Sequence, residues 1–229
     1  ALFELGHVFQ GGEPGEQHLL LSGLLIGRTT SKDVHGASRA VDVFDAKADA
    51  EAVLAAMGAP AKAQIKRGAD AWWHPGRHGV ICLGPKKVLG VFGELHPKVL
   101  KAMDVKGPAV AFTLWPEEIP MPRNSGATRP ALVLNDLQAV ERDFAFVVDA
   151  DVASLDLVNA AAGADKAIIE DVRVFDEFIG GSLGEGKKSL AITVRLQPTD
   201  ATLKEADIEA VGKKIVEKVE KATGGTLRG

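Results

Sequence analysis

Thiols are scarce in this 229-residue sequence, and so are long apolar runs. Cys82 is the single cysteine, which excludes an internal disulfide and a multi-thiolate zinc site. A reducing cytosol is a compatible setting for such a chain. The best apolar stretch, 19–26, is far shorter than the roughly 20 residues of a membrane-crossing helix, and Ser22 and Gly23 interrupt it. Excess positive charge is also missing. With 27 Lys+Arg against 31 Asp+Glu, the net charge of −4 argues against a strongly basic nucleic-acid binder. Residues 1–137 hold 15 basic and 14 acidic side chains, and the remainder holds 12 and 17. Any RNA contact must therefore use a local basic or stacking surface within an unfavourable mean field.

What is present fits a globular protein: 46% hydrophobic and 25% charged residues, over a length that suits one large domain or two ordinary ones. The sequence has no initiating Met and opens directly on an apolar strand pattern, so it reads as part of a longer chain. Residues 2–9 and 19–26 predict two antiparallel strands joined by a glycine-rich turn, the second covered on both faces. Residues 45–57 predict a helix stopped by Gly58. Short strands follow at 65, 79–83 and 88–92. A short helix then begins at His96-Pro97, where proline is tolerated because its missing N–H has no intrahelical partner. A strand at 110–114 closes this half. Residues 116–130 contain four prolines and predict an extended connector.

The second half has the clearest pattern. Phe144, Phe146 and Val148 alternate in a strand. Ser154 is placed to cap a helix ending at Gly163. A strand at 168–178 has Ile168, Val172 and Val174 on one side. A glycine-rich turn at 180–186 leads to a strand with Leu190, Ile192, Val194 and Leu196 on one face. Thr202 and Glu205 have capping-box spacing, and Ile208, Val211, Ile215 and Val219 form one helical stripe. Gly224-Gly225 and a short last strand complete a split βαβ order. The sheet face carrying Ser189, Thr193 and Arg195 is expected to remain open.

Candidate chemistry is sparse. His74 and His78 have the spacing of helical metal ligands, but Pro75-Gly76 between them predicts a turn. His96 is expected to cap a helix and Cys82 to be buried. Lys187-Lys188-Ser189 follows a glycine run but leads into a strand, whereas a phosphate loop opens a helix. Phe175 beside Arg173 and Arg195 offers a way to stack and hold an unpaired base.

Four ordered motifs resemble a known family: Arg142-Asp-Phe-Ala-Phe-Val-Val148, Phe175-Asp-Glu-Phe-Ile-Gly180, Leu183-Gly-Glu-Gly-Lys-Lys-Ser-Leu-Ala191 and Thr202-Leu-Lys-Glu-Ala-Asp-Ile208. They are similar to the ferredoxin-fold anticodon-binding domain that ends the bacterial phenylalanyl-tRNA synthetase β subunit. Leu2-Phe-Glu-Leu-Gly-His-Val-Phe9, His74-Pro-Gly-Arg77 and Gly90-Val-Phe-Gly-Glu-Leu-His-Pro97 resemble the synthetase-like core of that subunit. Two positions depart from the pattern: Phe144 stands where leucine is more usual, and Ala201 where an arginine often precedes Thr202. The resemblance implies an α+β chain: a partial class II synthetase-like antiparallel sheet domain over 1–119, a linker over 120–136, and a ferredoxin-like βαββαβ domain over 137–229. It implies a noncatalytic tRNA-binding and assembly role in a cytoplasmic phenylalanine-tRNA ligase, with an α partner in an α2β2 assembly. ATP and Mg²⁺ serve the holoenzyme, with no cofactor held by this chain. Strand face, charge and resemblance together select Arg173, Phe175, Lys187, Lys188, Ser189, Arg195 and Arg228 for RNA contact. Two other classes compete: a free-standing protein-interaction module with an open sheet, and a small-molecule enzyme using His74, His78 or His96.

Overall fold

A computed structural model describes the chain except residues 32, 35, 61, 62, 69, 122–130, 133 and 229. Most of the predicted connector lies outside the described residues. The chain forms two compact units, 1–128 and 129–229.

The first unit is a six-stranded antiparallel sheet. Its order is β1 (Leu2–Phe9), β2 (Gln17–Ile26), β6 (Ala109–Leu114), β5 (Lys87–Leu95), β4 (Trp73–Leu83) and β3 (Gln64–Lys66). Helix α1 (Val43–Ala56) covers the middle of one face. It starts earlier than its apolar pattern indicates because Asp42 caps it. The Asp42 carboxylate accepts from the N–H groups of Phe44 (2.8 Å) and Asp45 (3.3 Å), and Asp45 accepts from the Asp42 N–H (2.8 Å). Its buried side is mostly small, with Ala46, Ala50 and Leu54, so the helix lies close to the sheet.

Below it, one cross-strand row reads Phe3, Gly23, Phe112, Phe92, Gly79. A Cβ at position 23 would lie 2.3 Å from the Phe112 ring, and one at 79 would lie 2.8 Å from that of Phe92. Each ring therefore leans over the neighbouring glycine. Strand β2 was expected to be buried on both faces, yet only Gly23 in it is fully buried. The cause is the position of α1, which packs mainly over β5 and β6 and only partly over β2.

Helix α2 (Pro97–Ala102) begins as predicted, with the His96 Nδ1 accepting from the Lys98 N–H at 3.1 Å. Cys82 is buried, also as predicted.

The second unit runs β7 (Val140–Asp149), α3 (Ser154–Ala162), β8 (Ile169–Phe178), β9 (Lys187–Leu196), α4 (Glu205–Thr223) and β10 (Thr226–Leu227). Its antiparallel sheet has the order β10-β7-β9-β8, the ferredoxin-like arrangement. Both helices lie on one face, where Phe146, Leu157, Leu190, Ile192 and Ile215 are at most 1% exposed. Two predicted caps are corrected. Ser154 is the first helical residue of α3, and Ala153 stands at its cap without a side-chain bond. Thr202 and Glu205 do not form a box; the chain enters α4 at Lys204, whose N–H donates to Asp207 at 3.0 Å. Helix α4 ends at Gly224, whose φ of 66° suits a residue without Cβ.

Candidate nucleic-acid interface

Helices cover one face of the second sheet, and the other face carries the charged chemistry. Pairing aligns its rows: Glu141, Arg195 and Asp171; then Asp143, Thr193 and Arg173; then Ala145, Ala191 and Asp176; then Val147, Ser189 and Phe178. The face is thus graded, with charges at one end and small or apolar groups toward the other.

Strand β8 does not alternate simply. Its register slips between Ile169 and Asp171 and again between Val174 and Asp176, so Glu170 and Phe175 are inserted residues. A bulge bends the strand and re-aims side chains locally. Val174, which the sequence pattern places on one side with Val172, pairs with Ile192 between the two slips and is 37% exposed. The first inserted residue reaches Arg195, whose Nε donates to the Glu170 carboxylate at 2.6 Å. The second, Phe175, is 57% exposed, close to Asp176 in sequence and to the exposed Phe178. The Asp176 carboxylate has no hydrogen-bond or ion-pair partner among the described residues.

Of the predicted contact residues, Arg173, Phe175, Lys187, Arg195 and Arg228 are accessible at least in part. Lys188 and Ser189 are not, and their expected exposure is corrected. Lys188 is on the helix-covered side of β9 and is 6% exposed, with its Nζ 3.2 Å from the Glu177 carboxylate. Burial of an ammonium requires such a partner. Ser189 is on the open side but is 4% exposed, a short side chain paired across to Val147 and Phe178. Lys187 pairs with Asp149 at 2.6 Å. Arg228 is exposed, and its N–H extends the edge by donating to the Ala145 carbonyl at 2.7 Å.

The two arginines of the charged end share carboxylates. Glu141 lies 3.6 Å from Arg173 and 3.7 Å from Arg195, while Asp143 accepts from the Thr193 hydroxyl at 2.7 Å. The Glu170 hydrogen bond, with the nearby charges of Glu170 and Glu141, raises the Arg195 pKa above its ordinary value. Pattern reading missed Glu141, Glu170 and Asp176, because an acidic residue carries no nucleic-acid signal until register places it beside an arginine or an aromatic ring.

The family-model comparisons divide the chain as the fold does. Residues 1–115 match the phenylalanyl tRNA synthetase beta chain CLM domain, and residues 136–228 match the ferredoxin-fold anticodon binding domain. The chain belongs to the phenylalanyl-tRNA synthetase beta chain family. It is 82% identical over its whole length to the phenylalanine–tRNA ligase beta subunit of Ruegeria pomeroyi and 66% identical to that of Cereibacter sphaeroides. The corresponding protein of Paramagnetospirillum magneticum is 51% identical. The chain spans 29% of the length of each of these relatives and is itself covered in full.

This family leaves the free-standing interaction module and the histidine-based enzyme unfavoured. The histidines also have other partners. His74 Nδ1 accepts from the Gly76 N–H, His78 Nδ1 donates to the His74 carbonyl, and His96 caps α2. His78 and His96 do share a cavity of about 830 Å³ with Arg67 and Asp70. No ring nitrogen of the three meets a carboxylate or nucleophile among the described residues there.

Proposed function

We propose that this chain is the noncatalytic, tRNA-binding and assembly part of a phenylalanine–tRNA ligase beta subunit. In that role residues 120–136 link a synthetase-like unit, 1–119, to an anticodon-binding unit, 137–229. The open face of the second sheet meets unpaired bases of phenylalanine tRNA. The observation that carries this reading is the bulge of β8, which leaves Phe175 half-exposed beside the unpartnered Asp176, with Arg173 and Arg195 on the same face. An aromatic ring supplies a stacking platform, a free carboxylate accepts from base N–H groups, and guanidinium groups reach phosphate or base edges. Arg228 extends the cationic edge, and Lys187 stands at the far end of β9. Lys188 and Ser189 act indirectly in this reading, by fixing the strand end.

The synthetase-like unit serves assembly with an α subunit, in an α2β2 enzyme of the cytoplasm. Its edge strand β1 presents Phe3, Leu5 and Phe9, each more than half exposed, which suits a surface covered in a larger assembly. ATP and Mg²⁺ belong to the holoenzyme. Among the described residues, no three His, Cys, Asp or Glu side chains cluster as a metal site. Lys187-Lys188-Ser189 continues into β9 instead of opening a helix.

Binding of the full-length subunit, in its assembly, to phenylalanine tRNA and to the same tRNA with a substituted anticodon tests the reading. Phe175→Ala is expected to weaken binding to the native tRNA about tenfold, in line with the loss of one stacked base. Equal affinity of the two tRNAs, together with no effect of Phe175→Ala, would refute recognition by this face.

A further inference from the structure

The charged end of the open face is built against phosphate. Arg195 is held by Glu170 at 2.6 Å and by Glu141 at 3.7 Å, and the same Glu141 oxygen lies 3.6 Å from Arg173. Two carboxylates thus neutralise two guanidinium groups, and Asp143 and Asp171 on the same two rows add further negative charge. Glu170 is on this face because β8 inserts it as an extra residue. Among the described residues of this end, each arginine already has a carboxylate partner, so an arriving RNA phosphate must displace a carboxylate. All four partners are roughly half exposed, so the pairs exchange with a competing anion at small cost.

We propose that Glu141 and Glu170 are specificity-determining residues: they compete with RNA phosphate for Arg173 and Arg195 and so suppress sequence-independent attraction. This rests on the RNA reading given above. Phosphate contacts strengthen binding to any RNA, whereas base contacts discriminate. With the arginines occupied, affinity depends on what bases find at Phe175 and Asp176. An RNA that satisfies the base end repays the displacement, and one that does not is released.

The test uses the full-length subunit in its assembly, carrying Glu141→Gln with Glu170→Gln, Glu141→Gln alone, or Arg195→Gln. Each is titrated with phenylalanine tRNA and with the anticodon-substituted tRNA at several salt concentrations. The double variant is expected to bind both RNAs about three- to tenfold tighter, with the larger gain for the substituted one, so the ratio between them falls. Its salt dependence steepens by about one phosphate contact, a change that a merely structural role would not produce. Arg195→Gln weakens both. Should the double variant bind no tighter while Arg195→Gln weakens binding, the carboxylates do not compete and the proposal fails, with RNA recognition by this face intact. Should neither change binding, both fail together. Glu141→Gln lies outside the bulges of β8 and gives the same sign of effect if Glu170→Gln disturbs that strand.

Discussion

The two units treat the uncovered parts of their sheets in opposite ways. In the second, helices α3 and α4 together close over four strands, and the face left open bears Glu141, Asp143, Arg173 and Arg195. In the first, the single close-packed helix α1 reaches the centre of a six-stranded sheet, and the edge strand is left apolar. The row through Gly23 shows this within one line of residues. Phe112 is 4% exposed and leans over Gly23, while Phe3, on the other side of the same glycine, is 85% exposed. An unpaired apolar edge is a site for another chain segment, whereas a charged open face stays wet until a polar ligand arrives. Exposure alone therefore does not identify a binding surface; its chemistry separates an assembly edge from a recognition face.

The comparison is tested most severely at Phe146, which is fully buried between β7 and the two helices. Phe146→Ala is expected to cost about 3–5 kcal/mol, the usual range for removing a buried aromatic ring. Chemical denaturation followed by separate probes, Trp72, Trp73 and Trp115 fluorescence for the first unit and amide hydrogen exchange within α3 and α4 for the second, should show the loss in the second unit alone. Loss of both units in one transition would show that the second does not close on its own core.

Much of the second unit was legible because its signals are local. Alternation in β7 and β9, the stripe on α4 and the glycine stops each reflect one element at a time, and together they fix the βαββαβ order. The bulges of β8 were not legible. Val174 follows Val172 at the correct period, and only pairing with β9 reveals the extra residues. The site suffered accordingly: Phe175 and the arginines were found by type and face, but their acidic partners come from two other strand positions. Lys188 was misplaced because lysine reads as exposed, and nothing local announces that Glu177 will pair with it. In the first unit the long excursion of β4 was likewise hidden. Residues 74–77 stand opposite Glu94 alone, with Arg77 bonded to that carboxylate at 2.7 Å, and no period of apolar residues encodes such a departure.

A second test probes the first unit where its core meets the bare edge. Gly23→Ala places a methyl group 2.3 Å from the Phe112 ring, in a conformation that itself tolerates alanine. The ring must turn away against α1, which is expected to destabilise the first unit by about 1–3 kcal/mol. If instead the ring moves outward onto the exposed side of β1, the cost falls toward zero. That outcome would mean the edge strand supplies spare packing space and is less distinct from the core than the static row implies.

The smallest effect concerns how each unit anchors a helix electrostatically. Asp45 at the start of α1 meets Arg39 at 2.6 Å, and Asp165 before β8 meets Lys214 of α4 at 2.9 Å. The Lys214 hydrogen bond, foremost, holds the Asp165 carboxyl below the usual carboxylate range. A carboxyl whose folded pKa is depressed stabilises the fold fully above its unfolded value, near 3.9, and the stabilisation is lost as pH falls through the folded value. Lys214 is more than half exposed, so the pair is screened and contributes about 0.5 kcal/mol. Asp165→Asn should lower the second unit's stability by that amount at pH 7, and the gap between the two proteins should close as the pH is taken below 4. A gap that persisted in acid would assign the effect to the hydrogen bonds that Asp165 accepts from the backbone near Ala167, and would remove charge from the anchoring of α4.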